Sequence, residues 1–253
     1  MKCSWRLDRS AARGGTTAGE IDHRAFKDRL YELFAGVGKA LANPHRLEIL
    51  DLLAQGERSV DALARETGMA IANASQHLQV LRGARLVKTR RQGPYVHYSL
   101  AGENVFRLWQ SLRDVGSERL PEVEHVVDTF LADRDAMERI GAEELLARLA
   151  TSVVVLLDVR PESEYRAGHI RGARSVPLDR LAQALRSLPR DVEVIAYCRG
   201  PYCVWSDEAV ELLQARGFHA RRLATGFPDW RAAGLPVETG QDPHPTTPSE
   251  EER

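Results

Sequence analysis

The heptapeptide YCRGPYC, from Tyr197 to Cys203, holds two of the three cysteines in the chain and directly follows the apolar run VEVIA. In a reducing cytosol a close cysteine pair is more often catalytic, redox-sensing or metal-binding than a structural bridge. Which chemistry is open depends on the elements that hold the loop. SVVVLLDVR is a continuous apolar run of the kind found in a parallel strand buried on both faces. SVPL and DVEVIAYC add short strands, while AEELLARLA, LDRLAQALRSL and SDEAVELLQARG have helical patterns. This alternation from about Ile140 onward predicts an α/β domain with a central parallel sheet and helices on both faces. The cysteine loop then lies at the C-terminal end of a parallel strand and leads into a helix, where open α/β sheets place their ligand sites.

In such a loop the backbone N–H groups from Arg199 to Cys203 can turn inward as an anion nest, and the following helix adds partial positive charge. Surroundings of this kind lower a thiol pKa from about 8.5 to between roughly 3.5 and 7.5. Cys198, at the base of the cradle, is therefore the candidate nucleophile; the alternative is a small buried hydrophobe at a strand end. Arg199, Gly200, Pro201, Tyr202 and Cys203 form the cradle, from which Pro201 removes one donor amide. Cys203 has two readings. It is a candidate resolving thiol, because a curled loop brings the two Cα atoms within the roughly 4.4–6.8 Å that a disulfide needs, or it fills the first turn of the following helix. Cys3 is a rival partner, carried on the N-terminal tail.

The first half has a different grammar. AFKDRLYELFAGVGKALAN carries an apolar stripe. NPHRLEILDLLAQG opens with Asn43 as N-cap and Pro44 at the first helical position, with Gly56 just past its end. SVDALARETG follows, capped by Ser59 and stopped by Gly68. A helix over Ala72 to Arg82 puts Ala74, Leu78, Leu81 and Arg85 on one face and Asn73, Gln76 and Gln79 on the other. VKTRRQGPYVHYSL closes the set as a hairpin around RQGP. From Gly68 to Tyr98 there is no Asp or Glu, while Arg82, Arg85, Lys88, Arg90 and Arg91 all fall in that window. Two short helices followed by a basic hairpin make a winged helix-turn-helix. Its second helix is expected to enter the major groove through Asn73, Ser75, Gln76, His77 and Gln79, with Arg90 and Arg91 of the wing neutralising phosphates. The alternative, that Asn73, Gln76 and Gln79 are a solvated helix face, leaves the acid-free window unexplained.

A chain of 253 residues is long enough for two ordinary domains, and the 43% apolar and 28% charged fractions are those of a globular protein. No apolar run approaches the roughly 20 residues that span a bilayer, and the N-terminus lacks the apolar core of a secretory signal. The expectation is a cytoplasmic protein with no membrane partner. The expected organisation is a disordered tail over 1–20, a winged helix-turn-helix over 21–116, a linking and dimerisation helix over 117–135, an α/β domain over 136–240 and a disordered tail over 241–253. The linking helix, read as running from Glu118 to about Asp133, shows Val123, Val126, Val127, Phe130 and Leu131 at helical spacing.

Residues 30 to 100 resemble the ArsR-type winged-helix repressors through LANPHRLEILDLL, ALARETG, SQHLQVLRGARLV and RRQGPYVHYSL. The resemblance implies a homodimer that binds an inverted-repeat operator in double-stranded DNA and represses transcription. Many members sense metals through cysteines on the helix that here reads ERSVDALARETG, which has none, so a response to soft ions is not expected there. A second family site uses carboxylates and histidines on the helix after the wing, where Glu122, Glu124, His125 and Asp128 stand. A histidine among acids on such a helix is read as solvated, and no metal or other cofactor is expected.

Residues 137 to 240 resemble the rhodanese family through LLDVRPESEYRAGHIRGARSVPL, YCRGPYCVWS and LATGFPDWRAAGLPV. This resemblance implies a sulfurtransferase in which a cysteine thiolate, here Cys198, takes a sulfane sulfur from a small donor and passes it to a thiol acceptor. Asp158, Arg160, Glu164 and His169 match the first motif and are read as structural. A related phosphatase loop needs an arginine six positions after the cysteine; Val204 stands there, which disfavours phosphatase or arsenate-reductase chemistry. Only Arg199 is basic within the loop, which weighs against thiosulfate as donor.

Two function classes follow. The first is a repressor whose fused domain accepts sulfane sulfur on Cys198 and senses reactive sulfur. The second is a sulfurtransferase whose winged-helix half only controls its own expression or answers another ligand.

Overall fold

The computed structural model describes residues 22–131, 137–151 and 154–240. The expected tails, Cys3 and residues 132–135 of the expected linking segment lie outside them. The chain divides into two units, residues 1–39 and 40–253. In the first, helix α1 (His23–Leu41, its last two residues in the second unit) is capped by Asp22, whose Oδ1 accepts from the amides of Arg24 at 2.9 Å and Ala25 at 3.1 Å. Its Phe26, Tyr31, Leu33 and Phe34 are exposed, with the rings of Tyr31 and Phe34 edge to face.

The second unit begins with the winged helix. Helix α2 (Pro44–Gln55) starts as its sequence dictates: Asn43 Oδ1 accepts from the Arg46 amide at 3.2 Å, and Pro44 occupies the first position, where no N–H is needed. Strand β1 (Arg58–Ser59) leads into α3 (Val60–Glu66), where Ser59 Oγ accepts from Ala62 N at 3.2 Å. Gly68, at φ 67°, then turns the chain into α4 (Ile71–Gly83). Ala74, Leu78 and Leu81 are buried as expected, but Arg85 is not on that face. It lies past the helix end at φ 60°, and the next buried side chain is Leu86. Strands β2 (Val87–Gln92) and β3 (Tyr95–Leu100) form the wing around a two-residue turn in which Gly93 has φ 59°. The three strands order as β1-β3-β2.

Helix α5 (Glu103–Arg119) follows the wing, and α6 (Pro121–Phe130) follows α5. The single helix expected from Glu118 to about Asp133 is thus two segments, broken at Leu120. Pro121 forces an extended backbone on the residue before it, and Leu120 has φ −112° and ψ 99°.

The remainder is an α/β domain: β4 (Arg139–Ile140), α7 (Ala142–Ala150), β5 (Val154–Asp158), α8 (Glu162–Ala167), β6 (His169–Ile170), β7 (Arg174–Ser175), α9 (Leu178–Ala184), β8 (Glu193–Tyr197), α10 (Val204–Ala215), β9 (Ala220–Leu223), α11 (Phe227–Ala232) and β10 (Val237–Glu238). Its five-stranded sheet has the order β4-β9-β8-β5-β7 and is parallel throughout, and β10 pairs with β6 beside it. The strand expected in SVPL is shorter and earlier, because Pro177 cannot donate to a ladder and instead opens α9. Both faces of the sheet are covered. Val155 and Leu157 of β5 with Val194 and Ala196 of β8 face one core, while Leu156, Ile195 and Tyr197 face the other. No helix among the described residues is long and apolar enough to cross a membrane.

Candidate cysteine site and nucleic-acid interface

Cys198 is the first residue past β8, buried on the face that continues from Val194 and Ala196. It is joined by a disulfide to Cys203, with a Cα–Cα distance of 6.2 Å. Cys203 is also the N-cap residue of α10, so the loop closes on itself before the helix starts. The cradle is smaller than its sequence suggests, because the Cys203 amide donates to Gly200 O at 3.2 Å. Pro201 has no N–H to offer, which leaves the amides of Arg199, Gly200 and Tyr202 without an acceptor among the described residues. The loop rests on the third rhodanese-like motif. Phe227 N donates to Cys198 O at 3.1 Å, and a Cβ on Gly226 would fall 2.3–2.4 Å from atoms of the Arg199–Gly200 peptide. Only glycine fits so close an approach.

Beneath the loop, Asp158 and Tyr197 are paired across β5 and β8. Arg160 Nη2 donates to Asp158 Oδ2 at 2.6 Å and to Gly168 O at 2.8 Å. Burial works against this guanidinium, but the Asp158 carboxylate outweighs it and raises its pKa. Tyr197 hydroxyl also donates to Asp158, at 2.6 Å, and burial with the adjacent carboxylate keeps it protonated. His169 Nδ1 lies 2.9 Å from Tyr165 O, its ring stacked on Tyr165. These residues of the first motif hold loops.

The site does not stop at the α/β domain. Gln55, the last residue of α2 and 1% exposed, accepts at Oε1 from Arg160 Nη1 at 3.1 Å and donates from Nε2 to Arg199 O at 3.1 Å. The Arg199 side chain belongs to a closed ring of alternating charge. It donates to Glu164 at 3.0 Å through Nε and to Glu66 at 2.9 Å through Nη2, while Arg58 donates to Glu66 at 2.9 Å and to Glu164 at 2.6 Å. Arg58 and Glu66 come from the winged helix, Glu164 and Arg199 from the α/β domain. Burial disfavours the Arg199 charge, but the two carboxylates outweigh it and raise its pKa. Its guanidinium also lies 4.6 Å from the ring of Trp205. Helix α5 holds the far side of the loop: Ser117 Oγ and Tyr202 Oη are 2.5 Å apart. Gln110 and Arg113 of α5 donate to Asp229 of α11 at 2.9 and 2.6 Å.

None of these winged-helix partners stands out in the sequence. The one available signal is α2 itself, where Ile49, Leu50, Leu52, Leu53 and Ala54 are all buried. Six of the last seven residues of α2 are buried, so its C-terminal half must be covered on nearly every side, but its cover cannot be named from its own residues.

On the nucleic-acid side, α4 presents Asn73, Gln76 and Gln79 outward, with Ser75 and His77 half-buried. The His77 ring lies 5.5 Å from that of His45, and burial together with His45 and Arg46 lowers its pKa. At neutral pH it is therefore an uncharged donor or acceptor. Arg90 and Arg91 are both exposed on the wing, but the Arg90 guanidinium is engaged by Glu57 at 2.5–3.2 Å. Among the described residues no group of three or more His, Cys, Asp or Glu is arranged to hold a metal ion.

A family profile for bacterial regulatory proteins of the arsR family matches residues 43–89, and one for the rhodanese-like domain matches residues 141–233. The HTH-type transcriptional regulator Rv0324 of Mycobacterium tuberculosis is 46% identical over 224 residues, which cover 88% of this chain and 96% of that one. The nodulation protein NolR of Rhizobium meliloti is 40% identical over 93 residues, 37% of this chain and 76% of its own. The solution structure of the homodimeric winged helix-turn-helix DNA-binding domain of a possible ArsR-family regulator from Mycobacterium bovis is 50% identical. It covers 41% of this chain and 93% of its own, with a TM-score of 0.37. The match to the M. tuberculosis regulator runs through both halves, so this chain belongs to the ArsR family of bacterial transcriptional regulators and carries a rhodanese-like domain behind its winged helix.

Proposed function

We propose that the protein is a cytoplasmic, homodimeric repressor that binds an inverted-repeat operator, and whose rhodanese-like domain accepts sulfane sulfur on Cys198 and thereby reads reactive sulfur. The observation that carries this reading is the attachment of the residue after Cys198 to the winged helix, through Gln55 and Glu66. Dimer formation is supported by the apolar residues left exposed on α5 and α6, among them Leu108, Leu112, Val115, Val126 and Phe130. Operator recognition is supported by the polar outer face of α4 beside an acid-free wing.

The chemistry uses no external oxidant. The Cys198 thiolate attacks the sulfane sulfur of a hydropersulfide, the donor S–S bond breaks, and the donor leaves as a thiolate while Cys198 becomes a persulfide. A thiol acceptor then takes the outer sulfur, or Cys203 thiolate attacks Cys198 Sγ and expels hydrosulfide. The second route ends in the Cys198–Cys203 disulfide, with the sulfane sulfur as the atom reduced.

Intact-mass measurement on reduced protein exposed to an alkyl hydropersulfide tests this. Wild type is expected to gain one sulfur and then to end two hydrogens lighter than its reduced form. Cys203→Ser stops at one added sulfur, and Cys198→Ser gains none. Equal sulfur uptake by Cys198→Ser and wild type overturns the assignment.

A further inference from the structure

Arg199 is the only cation of the Cys198 loop, and two carboxylates hold it, Glu164 of its own domain and Glu66 of the DNA-binding half. Arg58 closes the ring on both of them, so the four charges sum to zero. The ring stands on the wall of a cavity of about 630 Å³ that borders the loop, lined also by Arg65, His97 and Trp205. Two of these four charges, Arg58 and Glu66, come from the winged helix, so a change of charge there leaves the ring beside the sulfur site unbalanced.

We propose that Glu66 is a specificity-determining residue of the sulfur site: together with Glu164 it balances Arg58 and Arg199 and so keeps the ring beside the loop neutral, with the result that Cys198 takes sulfur from weakly charged hydropersulfides and discriminates against the thiosulfate dianion. This rests on the reading that Cys198 accepts sulfane sulfur. With either donor the thiolate attacks the sulfane sulfur and one S–S bond breaks; the leaving group is an alkyl thiolate in one case and sulfite in the other. The donors differ in what a net positive charge near the loop does for them. It draws in a dianion more strongly than an alkyl hydropersulfide, which carries at most one negative charge. Glu66→Gln keeps an acceptor oxygen for Arg58 and Arg199 but leaves the ring with one positive charge in excess.

The test is the rate of single-sulfur addition to the reduced full chain in the Cys203→Ser background, with thiosulfate and with an alkyl hydropersulfide as separate donors. Glu66→Gln is expected to raise the rate ratio of thiosulfate to hydropersulfide about tenfold, through a lower KM for thiosulfate, and high salt is expected to erase the gain. Adding Arg199→Gln to Glu66→Gln removes the excess charge and is expected to return the ratio to its starting value. A merely structural Glu66 would slow both donors alike and leave the ratio unchanged. An unchanged ratio with loading intact overturns this inference alone. Failure of every donor to load the parent protein overturns the sulfur-acceptor reading and this inference with it.

Discussion

Gln55 Nε2 donates at 3.1 Å to the carbonyl oxygen of Arg199, tying the end of α2 in the winged helix to the residue after Cys198. The same side chain accepts from Arg160 at 3.1 Å, so one buried amide satisfies partners on two loops of the rhodanese-like domain. Gln55→Ala leaves both partners without it in a buried site. It is expected to lower the stability of the full chain by about 1–3 kcal/mol, the cost of unsatisfied buried polar groups. Denaturant melts at neutral pH check this; a loss below about 0.5 kcal/mol, typical of a surface change, would contradict it.

The outer face of α4 should read bases. Gln76→Ala is expected to weaken specific binding by about 1–3 kcal/mol while scarcely touching binding to random duplex. Arg91→Ala should weaken both and reduce the salt slope by about one phosphate contact. Fluorescence titrations over a range of salt distinguish the two effects, and equal losses on specific and random DNA for Gln76→Ala count against its role.

Arg90 is restrained by its own chain. Its bonds to Glu57 lower the pKa of that carboxyl, so the pair persists at neutral pH. Glu57→Gln is expected to free the guanidinium, strengthen nonspecific DNA binding and steepen the salt slope by about one contact. An unchanged slope would show that Arg90 does not reach phosphate.

What was legible in the sequence is local. Asn43 with Pro44, Ser59 and Gly68 marked helix ends because caps act through neighbouring backbone groups. The two-faced apolar runs marked the parallel sheet because burial on both faces leaves no polar alternation. Arg85 was misplaced because a non-glycine left-handed residue gives no periodic signal. The break at Leu120 was legible in Pro121, but the apolar spacing from Val123 to Leu131 lies wholly beyond it and says nothing of where the helix begins. Gln55, Arg58 and Glu66 were missed for another reason: each is an unremarkable polar residue in its own segment. Their partners Arg160, Glu164 and Arg199 are more than a hundred positions away.

Asp51 offers a check by pH. Burial raises its carboxyl pKa, against the hydrogen bond from Trp109 Nε1 at 3.0 Å. The folded state therefore holds this proton more tightly than the unfolded chain, whose value is about 3.9. Its contribution to stability falls as pH rises from there through the folded pKa, and is level above it. Asp51→Asn keeps an acceptor for Trp109 and lacks the titration, so its Tm advantage over wild type should grow with rising pH across that window. Parallel Tm profiles for the two proteins would contradict this.

Sulfur loading on Cys198 is expected to weaken operator binding, since Arg199 beside it is bound to Gln55 of α2 and Glu66 of α3. A tenfold loss of affinity requires only about 1.4 kcal/mol of coupling. The most direct measurement titrates polysulfide against reduced wild type, Cys198→Ser, Cys203→Ser and Cys3→Ser, each bound to an operator duplex selected by the protein from a random pool. Wild type and Cys3→Ser are expected to release DNA at the same low dose, while Cys198→Ser stays bound. Cys203→Ser reports whether the persulfide suffices or the disulfide is required. If Cys198→Ser releases DNA at the wild-type dose, sulfur on this loop does not govern the repressor, and the reading of an enzyme controlled by its own DNA-binding half takes its place.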